Sequence, residues 1–480
     1  MFSDYSFSPE YYDEMFDGSG SVRAHYSGVY SRLSQMNSLQ LTDRHQAICR
    51  QMIKQGITFT LYGGDAQEML ERTIPFDPIP RILPAREWEV IESGVIQRVK
   101  AINCFLRDIY HEQRILKDGI VPRSMIVAND YFRPEMMHMD VPGDVYVPFS
   151  GIDLIRDEQG SYFVLEDNLR TPSGISYLYK NRMLMRQLFP ELFTQYNIRS
   201  LSRGLNQFLA GLRSLAPDNK ANPRVVLLTP GSYNSAYFEH TFLAREMGID
   251  LVEGQDLKIM NHKVYIKTMQ GLQQVDVIYR RIDDDYLDPV CFRSDSVIGV
   301  PGLMSAYRAG NVAIANAPGT GVADDKAIYS FVPDIIRYYL AEKPILQNVP
   351  TYLVENAGQR EYVLANLPKM VVKETSLSGG YGMLIGPHAD EQERAAFAAK
   401  IRQTPERYIA QPTIRLSRVP CITNNGMAPR HVDLRPYAVM GADQTVHVVP
   451  GGLTRVALKH GSLVVNSSQG GGSKDTWVLE

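Results

Sequence analysis

Residues 151–168, GIDLIRDEQGSYFVLEDN, decide how this chain is read. The runs VYVPFSGIDLIRD (145–157) and SYFVLEDN (161–168) each have the content of a strand, and the polar, glycine-ended link around Glu158 to Gly160 has that of a hairpin turn. A hairpin brings Asp153 beside Glu166 and Asn168. Glu166 and Asn168 are two apart on an extended chain, so their side chains leave one face while Leu165 and Asp167 leave the other. Two carboxylates and an amide oxygen meeting at one point are hard ligands suited to magnesium, which takes few protein groups and completes its octahedron with waters and substrate phosphates. The same residues also suit an ordinary solvated hairpin in which Asn168 caps the segment that follows.

Working outward, the second informative stretch is 371–383, VVKETSLSGGYGM. The apolar run Met370 to Val372 reads as a short buried strand ending at Lys373, and Gly379, Gly380 and Gly382 follow it closely. A lysine followed by a glycine-rich loop supplies a cation plus backbone N–H groups that can close over a polyphosphate. A surface hairpin with a solvated lysine is the plainer alternative. RYIAQPTI reads as a strand ending at Gln411, and GTGVADDKAIYSFV places Lys326 at the start of a helix capped by Asp324 or Asp325.

Between these stretches lies PRVVLLTPGSYNSAYFEHTFLAREMGIDLVEG, a strand, turn, helix and strand resembling half of a doubly wound unit. Its loop, Gly231 to Ser235, falls at the carboxyl end of a parallel strand, which puts Tyr233, Asn234 and Ser235 near a ligand, with a simple helix cap by Ser232 or Asn234 as the alternative. Earlier, Ile91, Val95, Val99, Ile102, Leu106 and Ile109 recur at helical spacing and predict a core helix from Trp88 to Tyr110; a further helix is expected around Leu201 to Leu215. Three regions follow: 1–200, largely helical and carrying the metal-binding strands; 201–317, Rossmann-like; and 318–480, with the lysines, the glycine-rich lid and one polar helix, Asp390 to Gln403. The class is α/β or α+β, with several domains. Gly470 to Lys474 lacks the Gly-Lys-Ser/Thr run of a P-loop and reads as a mobile C-terminal loop with Lys474 in reach of a phosphate. Asp433 and Arg435 are alternate residues of one strand, suited to orienting a lysine or phosphate or to a structural ion pair.

The 480 residues carry 50 Lys and Arg against 53 Asp and Glu, a net charge of −3 with the signs well mixed, so there is no basic footprint for nucleic acid. The 4 cysteines show no CxxC or Cys/His pairing, which argues for reduced thiols over a zinc site or disulfides. The first residues are acidic and aromatic and no apolar run approaches a membrane span, so a cytoplasmic protein is expected.

The stretches FDPIPRILP, FRPEM, VLEDNLRTPSG, RRIDDDYLDP, VVKETSLSGGYGM and VVNSSQGGGSKDTWVL together resemble the circularly permuted ATP-grasp family that includes glutathionylspermidine synthase-like proteins. The resemblance implies that Asp153, Glu166 and Asn168 hold magnesium, that Lys326 and Lys373 bind the ATP phosphates, that Gly379 and Gly380 lie in the lid, and that Tyr408 to Gln411 form the adenine-side hinge. It also implies an ATP-dependent carboxylate–amine ligase with small-molecule or peptide substrates, and leaves room for a protein partner or homo-oligomer. One position departs: Gly151 stands where the family pattern has an arginine that stabilises the reacting oxygens, and Arg170, Arg281 and Arg435 are the candidates to supply that charge. A phosphotransferase that stops after moving the γ-phosphate is a second reading, and a regulatory or scaffold protein that binds ATP without turning it over is a third, motivated by Gly151.

Overall fold

The computed structural model describes residues 2, 5–62, 69–376, 382–423, 426–459, 461–463, 465 and 471–480. Among them, ten strands form one mixed sheet that draws on both ends of the chain. Its spine passes in order through Gln347–Asn348, Tyr162–Asn168, Phe149–Arg156, Gly426–Arg435, Leu453–Val456, Gly472–Val478 and Phe76–Leu83. Neighbours are antiparallel except at the two edges. At one edge, Phe76–Leu83 runs parallel to Gly472–Val478, a pairing no tight turn can make, here supplied by opposite ends of the sequence. Both of these strands are buried throughout, and their charges are paired: Lys474 with Asp77, and Arg81 Nη2 with Glu14 Oε1 at 2.6 Å. The expectation of a mobile loop ending at Lys474 is therefore wrong. Lys474 is an interior strand residue whose amine also donates to the carbonyls of Ile79 and Pro420.

The hairpin forms as its residues require. The Asp157 carboxylate accepts from the N–H groups of Gln159 and Ser161, and Gly160 takes a φ of +88°, which its missing Cβ permits. Asp153 sits opposite Glu166 and Gly151 opposite Asn168, with a register shift after Asp153. Asp167 leaves the other face and meets the helix Ala85–Tyr110, whose apolar stripe is buried along its length. Arg98 of that helix grips Asp167 with two bonds, Nε–Oδ1 at 2.6 Å and Nη2–Oδ2 at 2.7 Å, and donates to Asn348 at 2.8 Å.

The expected parallel unit is present: strand Val225–Leu228, helix Tyr237–Met247 and strand Asp250–Val252, in a parallel sheet ordered Ala313–Ala315, Val277–Arg280, Val225–Leu228, Asp250–Val252. Because the chain adds neighbours on opposite sides of Val225–Leu228, the loops after it and after Val277–Arg280 open at a topological switch point. Preceding this sheet is the helix Gly204–Ser214. A third sheet, antiparallel, joins Tyr352–Leu353, Tyr408–Pro412, Met370–Glu374 and Leu384–Ile385. It has its own apolar core, in which Val372, Ala410 and Tyr408 meet Val363 and Ile401 from two covering helices. One of these, Glu391–Gln403, starts with a capping box between Asp390 and Glu393. The chain is α+β, with helices packed on several sheets, and no helix among the described residues is long and apolar enough to cross a membrane.

The Arg98–Asp167 pair anchors the strand that carries Glu166 and Asn168. Arg98→Ala leaves a buried carboxylate unpaired and is expected to cost about 3–5 kcal/mol, read as a lower midpoint in denaturant unfolding followed by circular dichroism; a loss under about 1 kcal/mol would show that the pair does not anchor the strand.

Candidate functional site

Four buried charges lie at the middle of the ten-stranded sheet. Strand Gly426–Arg435 pairs with Leu453–Val456, which sets Asp433 opposite Arg455, and touches Phe149–Arg156 through Leu434 opposite Leu154. Asp153 is fully buried, and both its oxygens accept from guanidinium groups. Arg435 grips it through Nε and through Nη2 at 2.8 Å to Oδ2, and Arg455 Nη2 approaches the same Oδ2 at 2.6 Å. Arg455 Nε also donates to both oxygens of Asp433, at 3.0 Å each. Burial opposes the charge on Asp153, yet Arg435 and Arg455 together hold its carboxyl well below the usual range; Asp433, buried with one fewer arginine, is pushed up instead.

Gly151 acquires a reason here. A Cβ at that position would lie 3.2 Å from Cδ and 3.4 Å from Cγ of Arg435, so the arginine stem crosses the face of the glycine. A guanidinium is thereby present beside the hairpin although residue 151 has no side chain, and Arg435 Nη2 lies 3.9 Å from Glu166. Of the three arginines singled out from sequence, Arg435 is the one the described residues bring to these carboxylates. Arg281 is buried elsewhere, donating to the carbonyl of Pro172 at 2.5 Å and to Tyr279 Oη at 3.1 Å, with Glu239 at 3.4 Å. Arg170 lies over the Tyr131 ring at 4.6 Å, between Asp283 at 3.5 Å and Asp324 at 3.9 Å.

Lys373 approaches from the third sheet and Lys326 from a short helix. Lys373 Nζ donates to Gln411 Oε1 at 2.8 Å across adjacent strands, and Gln411 Nε2 donates to Thr351 at 3.0 Å. Burial lowers the Lys373 amine to about 8; Glu166 and Asp153 pull it back up and Lys326 pushes it down. Groups from three segments, the hairpin, the Lys326 helix and the Lys373 strand, therefore bear on one amine. Lys326 opens the short helix Lys326–Tyr329, capped by Asp325, whose carboxylate accepts from the N–H groups of Ala327 and Ile328. Asp324 is not the cap. It accepts from the N–H of Leu169 at 2.6 Å, tying this turn to the residue after Asn168, and burial pushes its carboxyl up to about 7.

Strand alternation sorts the side chains of Tyr408 to Gln411, the stretch expected to form an adenine-side hinge. Tyr408 shares the core face of its strand with Ala410, its ring beside Phe397 and its hydroxyl 3.3 Å from Glu374, so its side chain does not line the lysine face; Gln411 does, with its amide already engaged. Gly379 and Gly380 lie outside the described residues, although Tyr131 Oη holds the carbonyl of Ser376, just before them, at 3.1 Å. The four cysteines are free thiols, as expected, but the expected absence of a Cys/His pairing is corrected: Cys49 Sγ is 3.9 Å from His45 Nε2, a contact made by their i,i+4 spacing on the helix Ser38–Lys54.

Sequence reasoning missed Arg455, Glu239 and Tyr437. Arg455 carried a signal, a charge inside the apolar strand LTRV. Glu239 accepts from the N–H of Gly174 at 2.7 Å and from Ser176, while Tyr437 Oη and Arg435 Nη1 hold the carbonyl of Ser173 at 2.9 and 3.3 Å. The loop after Asn168 is thus clamped from both sides.

Among the described residues no three Asp, Glu, His or Cys side chains are arranged to hold a metal ion. The expected donor set is two carboxylates and an amide, and it fits magnesium unevenly. Asp153 has both oxygens on guanidinium groups, whereas Glu166 is partly exposed and the Asn168 amide nitrogen is buried with no hydrogen-bond partner. A buried unpaired amide is costly, and half a turn about χ2 would present its oxygen instead. Glu166 and Asn168 are the open donors, with Asp153 charge-balanced behind them.

Residues 80–457 match the family model described as circularly permuted ATP-grasp type 2, and the chain belongs to that family. It is 51% identical over 476 residues to an uncharacterized protein of Synechocystis, covering 99% of this chain and 98% of the other. A Frankia alni protein provisionally named glutamate–cysteine ligase 2-3 is 41% identical over 476 residues, which are 98% of this chain but 54% of that one. A solved glutathione synthetase-like effector of Globodera pallida, in its apo form, has a TM-score of 0.59 at 11% identity, over 93% of this chain and 98% of its own, and so shares the fold.

The field around Lys373 is directly testable. Only the neutral amine reacts with acylating reagents, so labelling of Lys373, located by mass spectrometry, is expected to rise with a midpoint near 8, where an ordinary lysine has 10.5. Glu166→Gln removes an anion that favours the charged form and should move the midpoint lower; an unchanged midpoint would separate the lysine from the hairpin.

Proposed function

We propose that this protein is an ATP- and magnesium-dependent ligase that joins a carboxylate to an amine through an acyl phosphate. The observation that carries the reading is that the Lys326 turn joins the Lys373 strand to the hairpin: Lys326 N–H donates to the carbonyl of Thr375 at 3.4 Å, Asp324 accepts from the N–H of Leu169 at 2.6 Å and Tyr329 Oη donates to the carbonyl of Val164 at 2.5 Å. Family membership supports the use of ATP, and the name of the Frankia relative agrees in reaction class; the chain spans about half of that relative, so its substrates are not carried over.

In this reading Lys326 and Lys373 hold the ATP phosphates, and Glu166 and Asn168 hold the magnesium ion, which when bound neutralises phosphate charge. The substrate carboxylate attacks the γ-phosphorus, the bond to ADP breaks, and an acyl phosphate forms. Arg435, brought over Gly151, stabilises charge on the reacting oxygens. The amine then attacks the acyl carbon, phosphate leaves, and the amine proton passes to solvent. Catalysis is positioning and electrostatics, with no nucleophilic side chain.

Two measurements test this. Magnesium and ATP at a hundred times the dissociation constant should stabilise the wild type by about 2.7 kcal/mol in thermal unfolding, and Lys373→Ala should abolish the gain; no gain in the wild type would remove ATP from the site. In an ADP-release assay over acids and amines, Glu166→Gln and Lys373→Ala should lower turnover roughly a hundredfold. ADP release that needs no amine would favour the phosphotransferase, and magnesium-dependent binding without release would favour the regulatory reading.

A further inference from the structure

The loop after strand Val225–Leu228 borders a cleft of about 250 Å³ that the site above does not use. It lies between the helices Ile175–Leu188 and Tyr237–Met247 and the segment around Gln55 to Thr58. Its lining has a consistent chemistry. Lys180 and Arg245 are its charged residues, both cations, and no acidic side chain lines it among the described residues. Ser232, Asn234, Ser235 and Thr241 add hydroxyl and amide groups, and the hydroxyls of Ser232 and Ser235 have no protein partner among the described residues.

The cations flank one ring, and the Arg245 side chain is exposed. Phe242 lies between them, with Lys180 Nζ 5.5 Å and the Arg245 guanidinium 6.0 Å from its ring centroid. Lys180 donates one bond, to Gln55 at 3.2 Å, which leaves donors to spare; Arg245 also pairs with Glu246, which is outside the lining. The first turn of the helix Tyr237–Met247 lines the same wall and adds its positive dipole end. Such a cleft attracts an anion and offers neutral donors to orient it.

We infer that this cleft is a binding site for an organic carboxylate, the anionic end of a molecule that the ligase joins. This assignment rests on the ligase reading. The helix that walls the cleft and the carboxylate–arginine centre meet at one peptide unit outside the cleft: Arg435 and Tyr437 hold the carbonyl of Ser173, while Glu239, next to the cleft residue Phe238, holds the N–H of Gly174. A ligand in the cleft therefore bears on the loop that borders the reacting groups, and the site would read the carboxylate of a short acidic peptide or a dicarboxylic acid.

The test needs no nucleotide, so it stands apart from any failure of ATP chemistry. Glutarate binding, measured by ligand-observed NMR without ATP or magnesium, is expected to saturate, while the neutral diamide glutaramide does not bind. Lys180→Gln with Arg245→Gln should weaken glutarate binding roughly tenfold or more, with the fold checked by circular dichroism, and Lys373→Ala should leave it unchanged. Overturning results are an absence of saturable glutarate binding, equal binding of glutaramide, undiminished binding to the double variant, or a loss in Lys373→Ala that places the anion at the phosphate-binding lysines.

Discussion

Asp153 is an ionised carboxylate with no solvent, and the centre of the structure is arranged around that cost. Removing such a group from water costs several kcal/mol unless it is paired and hydrogen-bonded. Arg435 and Arg455 meet the demand, and Asp433 in turn balances Arg455, so two acids and two bases close a neutral set. The set requires strands Phe149–Arg156, Gly426–Arg435 and Leu453–Val456 to lie in one register, because a slip of one residue would send every one of these side chains to the opposite face.

From this centre the two faces of the hairpin divide the work. Asp167 goes back to Arg98 and the helix Ala85–Tyr110, while Glu166, on the other face, enters the electrostatic surroundings of Lys373. The alternation that separates them makes the strand both a structural anchor and a wall of the site. Gly151 contributes by what it lacks: without a Cβ, the Arg435 stem lies across it, and a charge from a distant strand reaches the hairpin. The loop after Asn168 is clamped by Arg281, Arg435, Tyr437 and Glu239, so the parallel sheet and the large mixed sheet meet at one short segment.

Much of the fold was legible in local pattern. The hairpin followed from two strand-like runs around a glycine turn, the helix Ala85–Tyr110 from a stripe at 3.6-residue spacing, and the parallel unit from a strand, helix and strand in succession. The hairpin's own register brought Asp153 opposite Glu166. What local pattern could not supply was the partner of each residue. Tyr408 and Gln411 are close in sequence yet face opposite ways, since their strand packs a private core on one side. Lys474 follows a run of glycines and still lies inside a sheet, because the strand beside it comes from the other end of the chain. The cleft around Lys180 and Arg245 had part of its lining in view, Ser232, Asn234 and Ser235 of the loop Gly231 to Ser235, and lacked the helix Ile175–Leu188 that completes it.

By itself, the sequence determined a fold of mixed helices and sheets, the hairpin at Asp153 to Asn168 and the family, because each rests on residues within one element or on a motif of adjacent positions. The tertiary structure alone decided which arginine stands beside Gly151, that Asp153 is held by guanidinium groups, and that Lys373 feels Glu166. Those are pairings between segments distant in sequence, and such strand pairing is set by the register of buried charges and apolar faces, which no short stretch of sequence contains.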